Sequence, residues 1–248
     1  MTCSEDIRAV VLQFYRRLYD ADGRDGFFCR GNDIFMHPVL TPNFFPVGVP
    51  TADQLAVDRR RFRESFGQDR HWLQLFPDQD SDSELAAAGY SQSMDCAFNV
   101  FTHPILVRQV PGIGLAAYDS VPESIRSEYE RKTDSNSHSL SPVVLRCIER
   151  VLRAAADSVA VCVAQTPDGQ LAGAVTVVRA GPVSLFVNAW VDQPERGRGI
   201  MSFLYAESLR RELTEGQEAA FYWTFNPIIS AKGNLSGRVR VFEASNSL

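Results

Sequence analysis

Arg196-Gly197-Arg198-Gly199 sets two guanidinium groups and two glycines in four consecutive positions of the 248-residue chain. An apolar run, Val183–Val191, precedes them. Residues 200–213 follow with Ile200, Phe203, Leu204, Leu209 and Leu213 at helical spacing. The four residues therefore stand where a strand turns into the N-terminus of a helix. That end of a helix carries unpaired N–H groups and partial positive charge, so acids are expected there and each arginine costs about 0.3–1 kcal/mol. A bound anion offsets the cost, and glycines let it approach the backbone closely at positive φ. The chemistry is that of a phosphate cradle. A plain glycine turn between strand and helix carries such a string too. A dinucleotide fingerprint needs a third glycine where Ser202 stands and an acid at the end of the next strand, which closes with Phe225-Asn226. A P-loop needs a Gly-Lys-Ser/Thr ending, and the chain has none here.

Val191-Asp192-Gln193-Pro194-Glu195-Arg196-Gly197-Arg198-Gly199-Ile200 resembles the acyl-CoA pyrophosphate loop of the GNAT superfamily of N-acyltransferases, Val-x-Pro-x-x-(Arg/Gln)-x-x-Gly-x-(Gly/Ala). Val191, Arg196 and Gly199 match in register. The proline sits one place late, at Pro194, and Met201 replaces the final small residue. The resemblance implies acetyl-CoA or another acyl-CoA as co-substrate, no metal, and transfer of the acyl group to a primary amine. It assigns the diphosphate to backbone N–H groups of Arg196, Gly197, Arg198, Gly199, Ile200 and Met201, with Arg196 and Arg198 as charge partners. The family splays its fourth and fifth strands, which frees backbone groups near Ala189, Trp190 and Val191 for the pantetheine arm and for a developing oxyanion. Asn226 stands where the family commonly places an asparagine against that arm; it is equally suited to cap the turn before Pro227.

Proton transfer is less fully provided. Strand alternation puts Ser184, Phe186, Asn188 and Trp190 on one face, with no carboxylate among them. Many family members carry a glutamate base on this strand; Asn188 orients water or substrate but takes no proton at neutral pH. The family's general acid is a tyrosine four residues before a helix-ending glycine. Counting back from Gly237 reaches Gly233, so Tyr222 on the fifth strand is the substitute, ahead of Tyr205 and Ser230. A catalyst that leans on positioning is one outcome. The other is a non-catalytic CoA-binding regulator or scaffold.

The rest of the chain bounds these readings. Hydrophobic residues make up 45% and charged residues 22%, ordinary for a globular protein. A formal net charge of −5 argues against nucleic acid as a partner, and gently favours a cationic small molecule. Five scattered cysteines with no C-x-x-C pair argue against a disulfide framework or zinc site. The four histidines have no partner at ligand spacing. The acidic start is unlike a secretory signal, and residues 171–191 read as two strands rather than a membrane span, so a cytoplasmic monomer or homodimer is expected.

Periodicity places helices at 4–19, 52–65, 85–88, 121–132 and 142–156, and strands at 71–76, 94–101, 105–110, 159–164, 171–178, 183–191, 221–225 and 239–242. Proline-spaced short strands fill 32–49, a polar loop covers 133–141, and a short helix covers 228–236 until Gly237 breaks it. Asp168-Gly169 between β-branched runs signals a hairpin. Strand, proline turn, helix, glycine, strand occurs at 71–101 and again at 221–242, a faint repeat. The fold class expected is α/β: a mixed, mostly antiparallel sheet flanked by helices. In the light of the resemblance it is GNAT-like in two halves, a degenerate copy at 1–103 and a catalytic one at 104–248.

Overall fold

The computed structural model describes residues 9–11, 13–14, 28–30, 34–37, 43–46, 51–66, 71–75, 82–136, 158–224 and 235–244. It forms two compact units, residues 1–99 with 223–248, and residues 100–222. The expected helix at 142–156 lies outside the described residues, as do Asn226 and most of the helix expected at 4–19.

In the first unit, α1 (Ala52–Phe66) opens with Asp53 and ends with Arg63, each at the pole its charge favours. Its Leu55 is fully buried against Leu73 and Leu75, the alternate residues of β4 (His71–Leu75). The short α2 (Asp82–Ala87) buries Leu85 in the same cluster and stops at Gly89, whose φ of +79° terminates the helix at the start of β5 (Tyr90–Phe101). Strands β1 (Phe28–Arg30), β2 (Ile34–His37) and β3 (Asn43–Pro46) run antiparallel in sequence, and β3 joins β4 in parallel. The last strand of the chain, β11 (Leu235–Ala244), lies antiparallel on β4, with Phe242 opposite Leu73, and takes its place between β4 and β5. A division at 103/104 groups this strand with the second half; its contacts group it with the first.

The second unit is a sheet in the order β10-β9-β8-β7-β6. Strands β6 (Gly114–Ala117), β7 (Ser158–Gln165), β8 (Leu171–Ala180) and β9 (Val183–Val191) are antiparallel neighbours, and β10 (Ala219–Thr224) joins β9 in parallel. Gly169 and Gly181, at φ +81° and +62°, make the two tight turns around β8. Strand β8 is buried along nearly its whole length, which explains its continuous apolar sequence. Helix α3 (Glu123–Asn136) packs on one face and α4 (Ile200–Thr214) on the other. Tyr129 and Thr133 of α3 meet Thr176 and Trp190, whereas Tyr205 and Glu212 of α4 meet Phe186 and Ser184.

The mixed, mostly antiparallel sheet with flanking helices is as expected; three local readings are corrected. Residues 105–110 form no strand: Pro104 and Pro111 bracket them, Leu106 is fully exposed, and β6 comes later. Helix α3 continues through Thr133 to Asn136, because Lys132 and Thr133 are buried on the sheet and tertiary contact overrides the polar composition. Leu235 and Ser236 belong to a strand, and Gly237 lies within it rather than ending a helix; Arg238, Val239, Arg240 and Val241 alternate with the period of two that a strand needs.

Candidate active site

The site is built on a defect in β9. Ala174 pairs with Trp190 and Thr176 with Val187, so two residues of β9, Asn188 and Ala189, stand opposite Val175 alone. This is a β-bulge, and Asn188 takes the left-handed conformation at φ +51°, which asparagine tolerates better than most residues. The extra residue reverses the side-chain phase. Trp190 therefore leaves the face of Ser184 and Phe186, on which strict alternation puts it, and joins that of Val187. Its indole Nε1 donates to Thr133 Oγ1 of α3 at 3.0 Å, and its ring lies 6.2 Å from that of Tyr129. Gly173 on β8 makes the close approach possible. A Cβ there would stand 2.8 Å from the Trp190 carbonyl oxygen.

On its other edge, β9 pairs with β10 only from Val183 to Leu185, opposite Ala219 to Phe221. Beyond Leu185 the two strands part, although β9 continues to Val191 and β10 to Thr224. The edge that carries Phe186 to Val191 thus has no β10 partner, and Ala189, Trp190 and Val191 lie on it.

The chain then turns into the Arg-Gly-Arg-Gly corner, which is anchored at its entrance. Asp192 donates its N–H to the Ala172 carbonyl at 2.9 Å and accepts at Oδ1 from the N–H of Gln193 at 3.1 Å. Its Oδ2 lies 2.5 Å from Nζ of the buried Lys132, which also donates to the Leu171 carbonyl at 2.8 Å and pairs with Glu128 at 2.9 Å. Burial pulls the Lys132 pKa down, but the hydrogen bonds to Asp192 and Glu128 more than offset this, so it lies above its ordinary value. A single 3-10 turn, Gln193–Glu195, follows. Arg196 Nε donates back to the Val191 carbonyl at 3.1 Å. The Arg198 guanidinium pairs with Glu195 and reaches the Pro111 carbonyl at 3.5 Å.

Gly197 and Gly199 have φ of +81° and +86°, and Gly199 is the N-cap residue of α4, with no side chain capping the helix. The N–H groups of Glu195 and Arg196 bond to the carbonyls of Asp192 and Gln193, and the helix ladder begins with Phe203 N–H on the Gly199 carbonyl at 3.0 Å. Between them, the N–H groups of Gly197, Arg198, Gly199, Ile200 and Met201 are unspent on any carbonyl among the described residues. Among the described residues the corner is open: a Cβ on Gly197 meets nothing within 4 Å, and one on Gly199 meets only Val110 Cγ2 at 3.9 Å. Five donors, two guanidinium groups and free space for an anion coincide here, which fits a diphosphate.

Aromatic rings from β9, β10 and α4 meet beside the place where the strands part. Tyr222 is buried and stacks on Tyr205 at 4.6 Å and on Phe101 at 5.7 Å, and Phe186 stacks on Tyr205 as well. Burial pushes the Tyr222 phenol up to about 12 and raises that of Tyr205 as well. Both stay protonated at neutral pH. Lys132, Asp192, Glu195, Gly173 and the bulge at Asn188 were not singled out for these roles from sequence. Lys132 could have been, as one of only two lysines in the chain. No group of three His, Cys, Asp or Glu is placed to hold a metal ion among the described residues, and none of their helices is long and apolar enough to cross a membrane.

No protein-family model and no curated protein sequence matches the chain. Solved structures do. A GCN5-related N-acetyltransferase from Kribbella flavida superposes with a TM-score of 0.65 at 10% identity, over 96% of this chain and 95% of that one. A protein from Novosphingobium aromaticivorans assigned to the GNAT family matches over 95% and 98%, with a TM-score of 0.57 at 14% identity. A tandem GNAT protein from the clavulanic acid biosynthesis pathway matches over 82% and 75%, with a TM-score of 0.56 at 16% identity.

Proposed function

We propose that this chain, which has the fold of the GNAT N-acyltransferases, moves an acyl group, acetyl by default, from acyl-CoA to the primary amine of a small molecule. The observation that carries the reading is the run of five unspent N–H groups from Gly197 to Met201, opening on free space beside Arg196 and Arg198. A diphosphate is the ligand chemistry that uses them all. The parted strands supply the second requirement, a backbone edge from Phe186 to Val191 that β10 leaves unpaired, along which amide groups of a pantetheine arm can bond. We assign Ala189, Trp190 and Val191 to that edge.

The acyl-CoA thioester supplies an activated carbonyl and a good leaving group. The chain's part is then to align the amine, to help its proton leave, and to stabilise the departing sulfur. N–H groups of the bulged segment, held at a fixed angle by the Trp190–Thr133 bond, are donors for charge developing on the acyl oxygen. Asn188 holds water or the amine in place. The Tyr222 phenol is protonated throughout the working range and serves as a hydrogen-bond donor to the leaving sulfur. Residues 1–103 are assigned as a degenerate copy of the half at 104–248, since no Arg-x-x-Gly-x-Gly run occurs before residue 104.

A second reading, a CoA-binding regulator without turnover, is favoured by one specific observation: β9 carries no carboxylate. Isothermal titration with acetyl-CoA, paired with thiol release over a panel of amines, separates the two. Binding with turnover supports the transferase, binding without turnover on any amine supports the regulator, and no binding removes both.

A further inference from the structure

We infer that Glu195 is an internal counter-ion of the diphosphate corner, which holds Arg198 in the empty site and weakens every anion that displaces it. The inference rests on the cofactor reading above and concerns how tightly that site binds.

Glu195 ends the 3-10 turn, and its carboxylate pairs with the guanidinium of Arg198 three residues on. The glutamate side chain is only 20% exposed and the arginine 42%. Arg196, the other cation of the corner, is turned back onto the Val191 carbonyl. The one guanidinium that reaches across the turn is thus already matched by a carboxylate. An arriving anion must take Arg198 from Glu195 and then lie beside the displaced negative charge. Chloride or acetate gains one weak, screened contact in the exchange. A diphosphate gains the five N–H donors from Gly197 to Met201 as well, and so meets the cost where a simple anion does not. Glu195 consequently lowers affinity for every anion, and only one that also engages the N–H donors fills the corner.

The test is Glu195→Gln, which keeps shape and removes charge. Exposed ion pairs of this type are worth little, so the release of Arg198 and of the like-charge contact should tighten acetyl-CoA by about two- to fivefold at low salt. Inorganic pyrophosphate should gain similarly as a competitor, pantetheine should not change, and inhibition by chloride should grow. With Arg198→Gln already present, the gain from Glu195→Gln should shrink. If the native protein binds acetyl-CoA and Glu195→Gln binds it equally or more weakly, Glu195 orients Arg198 and the counter-ion role is refuted while the cofactor site stands. If the native protein binds neither acetyl-CoA nor pyrophosphate, both ideas fall.

Discussion

Replacing Gly199 separates the two things a glycine does at this corner. The residue has φ +86° and ψ 8° as the N-cap of α4, and among the described residues only Val110 Cγ2, at 3.9 Å, would touch a Cβ. Gly199→Ala therefore brings no clash, only the left-handed backbone, about 1–2 kcal/mol. For a chain of this size that is a fall in Tm of roughly 2–8 °C. Gly199→Asp should cost less, since aspartate tolerates this conformation and its carboxylate suits a helix N-terminus. Affinity should run the other way. The alanine methyl stands in the open space and hinders close approach, whereas the aspartate also repels the ligand. One pair of like charges 4 Å apart costs about 1 kcal/mol in water and about 4 kcal/mol near a protein surface. Two phosphates face the carboxylate, so acetyl-CoA binding should weaken by at least about 30-fold. Thermal melts should rank glycine above aspartate above alanine; calorimetric affinities should rank glycine above alanine above aspartate. Native affinity in Gly199→Asp would refute the placement of the diphosphate, and native affinity in Gly199→Ala would refute the close approach.

Three further outcomes follow from the same geometry. Lys132→Met leaves Asp192 and Glu128 without their cation and should cost about 2–3 kcal/mol at pH 7, discounted for partial exposure. Because the lysine pKa is raised on folding, this stabilisation is complete below its ordinary value of 10.5 and fades above it, so the melting curves of variant and native protein should converge in strong alkali. Gly173→Ala drives a Cβ to 2.8 Å from the Trp190 carbonyl, and should cost about 1–3 kcal/mol in a denaturant titration while raising KM for acetyl-CoA. Tyr222→Phe should lower kcat and leave the acetyl-CoA Kd unchanged, and the native kcat should show no falling limb from this phenol below pH 10, roughly two units under its pKa of about 12; an unchanged kcat would remove Tyr222 from the reaction.

The corner was legible in the sequence because its physics is local. Glycines at positive φ, arginines against a helix dipole and an apolar strand before them are all properties of one contiguous stretch. The hairpin at Gly169 and the two helices flanking β9 and the loop were legible for the same reason. Non-local features were not. Lys132 and Asp192 are 60 residues apart and meet only because α3 crosses the sheet where β9 ends. The pairing of β11 with β4 joins residues 240 and 75, which no periodicity can foresee. The bulge hid differently: Asn188 in an apolar run is a visible anomaly, but alternation assumes that no residue is inserted, and one extra position inverts every later side chain.

That inversion couples the site to the body of the unit. Without the bulge, Trp190 would point toward α4, and α3 would have no hold on the end of β9. With it, α3 grips β9 twice, through Trp190 to Thr133 and through Asp192 to Lys132, on either side of Val191. The same insertion turns the β9 backbone at the point where β10 has already parted from it. The edge that β10 leaves unpaired is therefore not a loose strand end. It is fixed by two side-chain contacts on one face and by α4 on the other, which is the preorganisation that backbone donors need if they are to stabilise charge without moving. Thr133→Val keeps the shape of the side chain and removes only the acceptor of the Trp190 bond, at about 1–3 kcal/mol. If rigidity of this edge matters to transfer, kcat should fall by more than that stability loss accounts for, with the acetyl-CoA Kd nearly unchanged; a kcat at the native level would show that the bulge shapes the fold without shaping the chemistry.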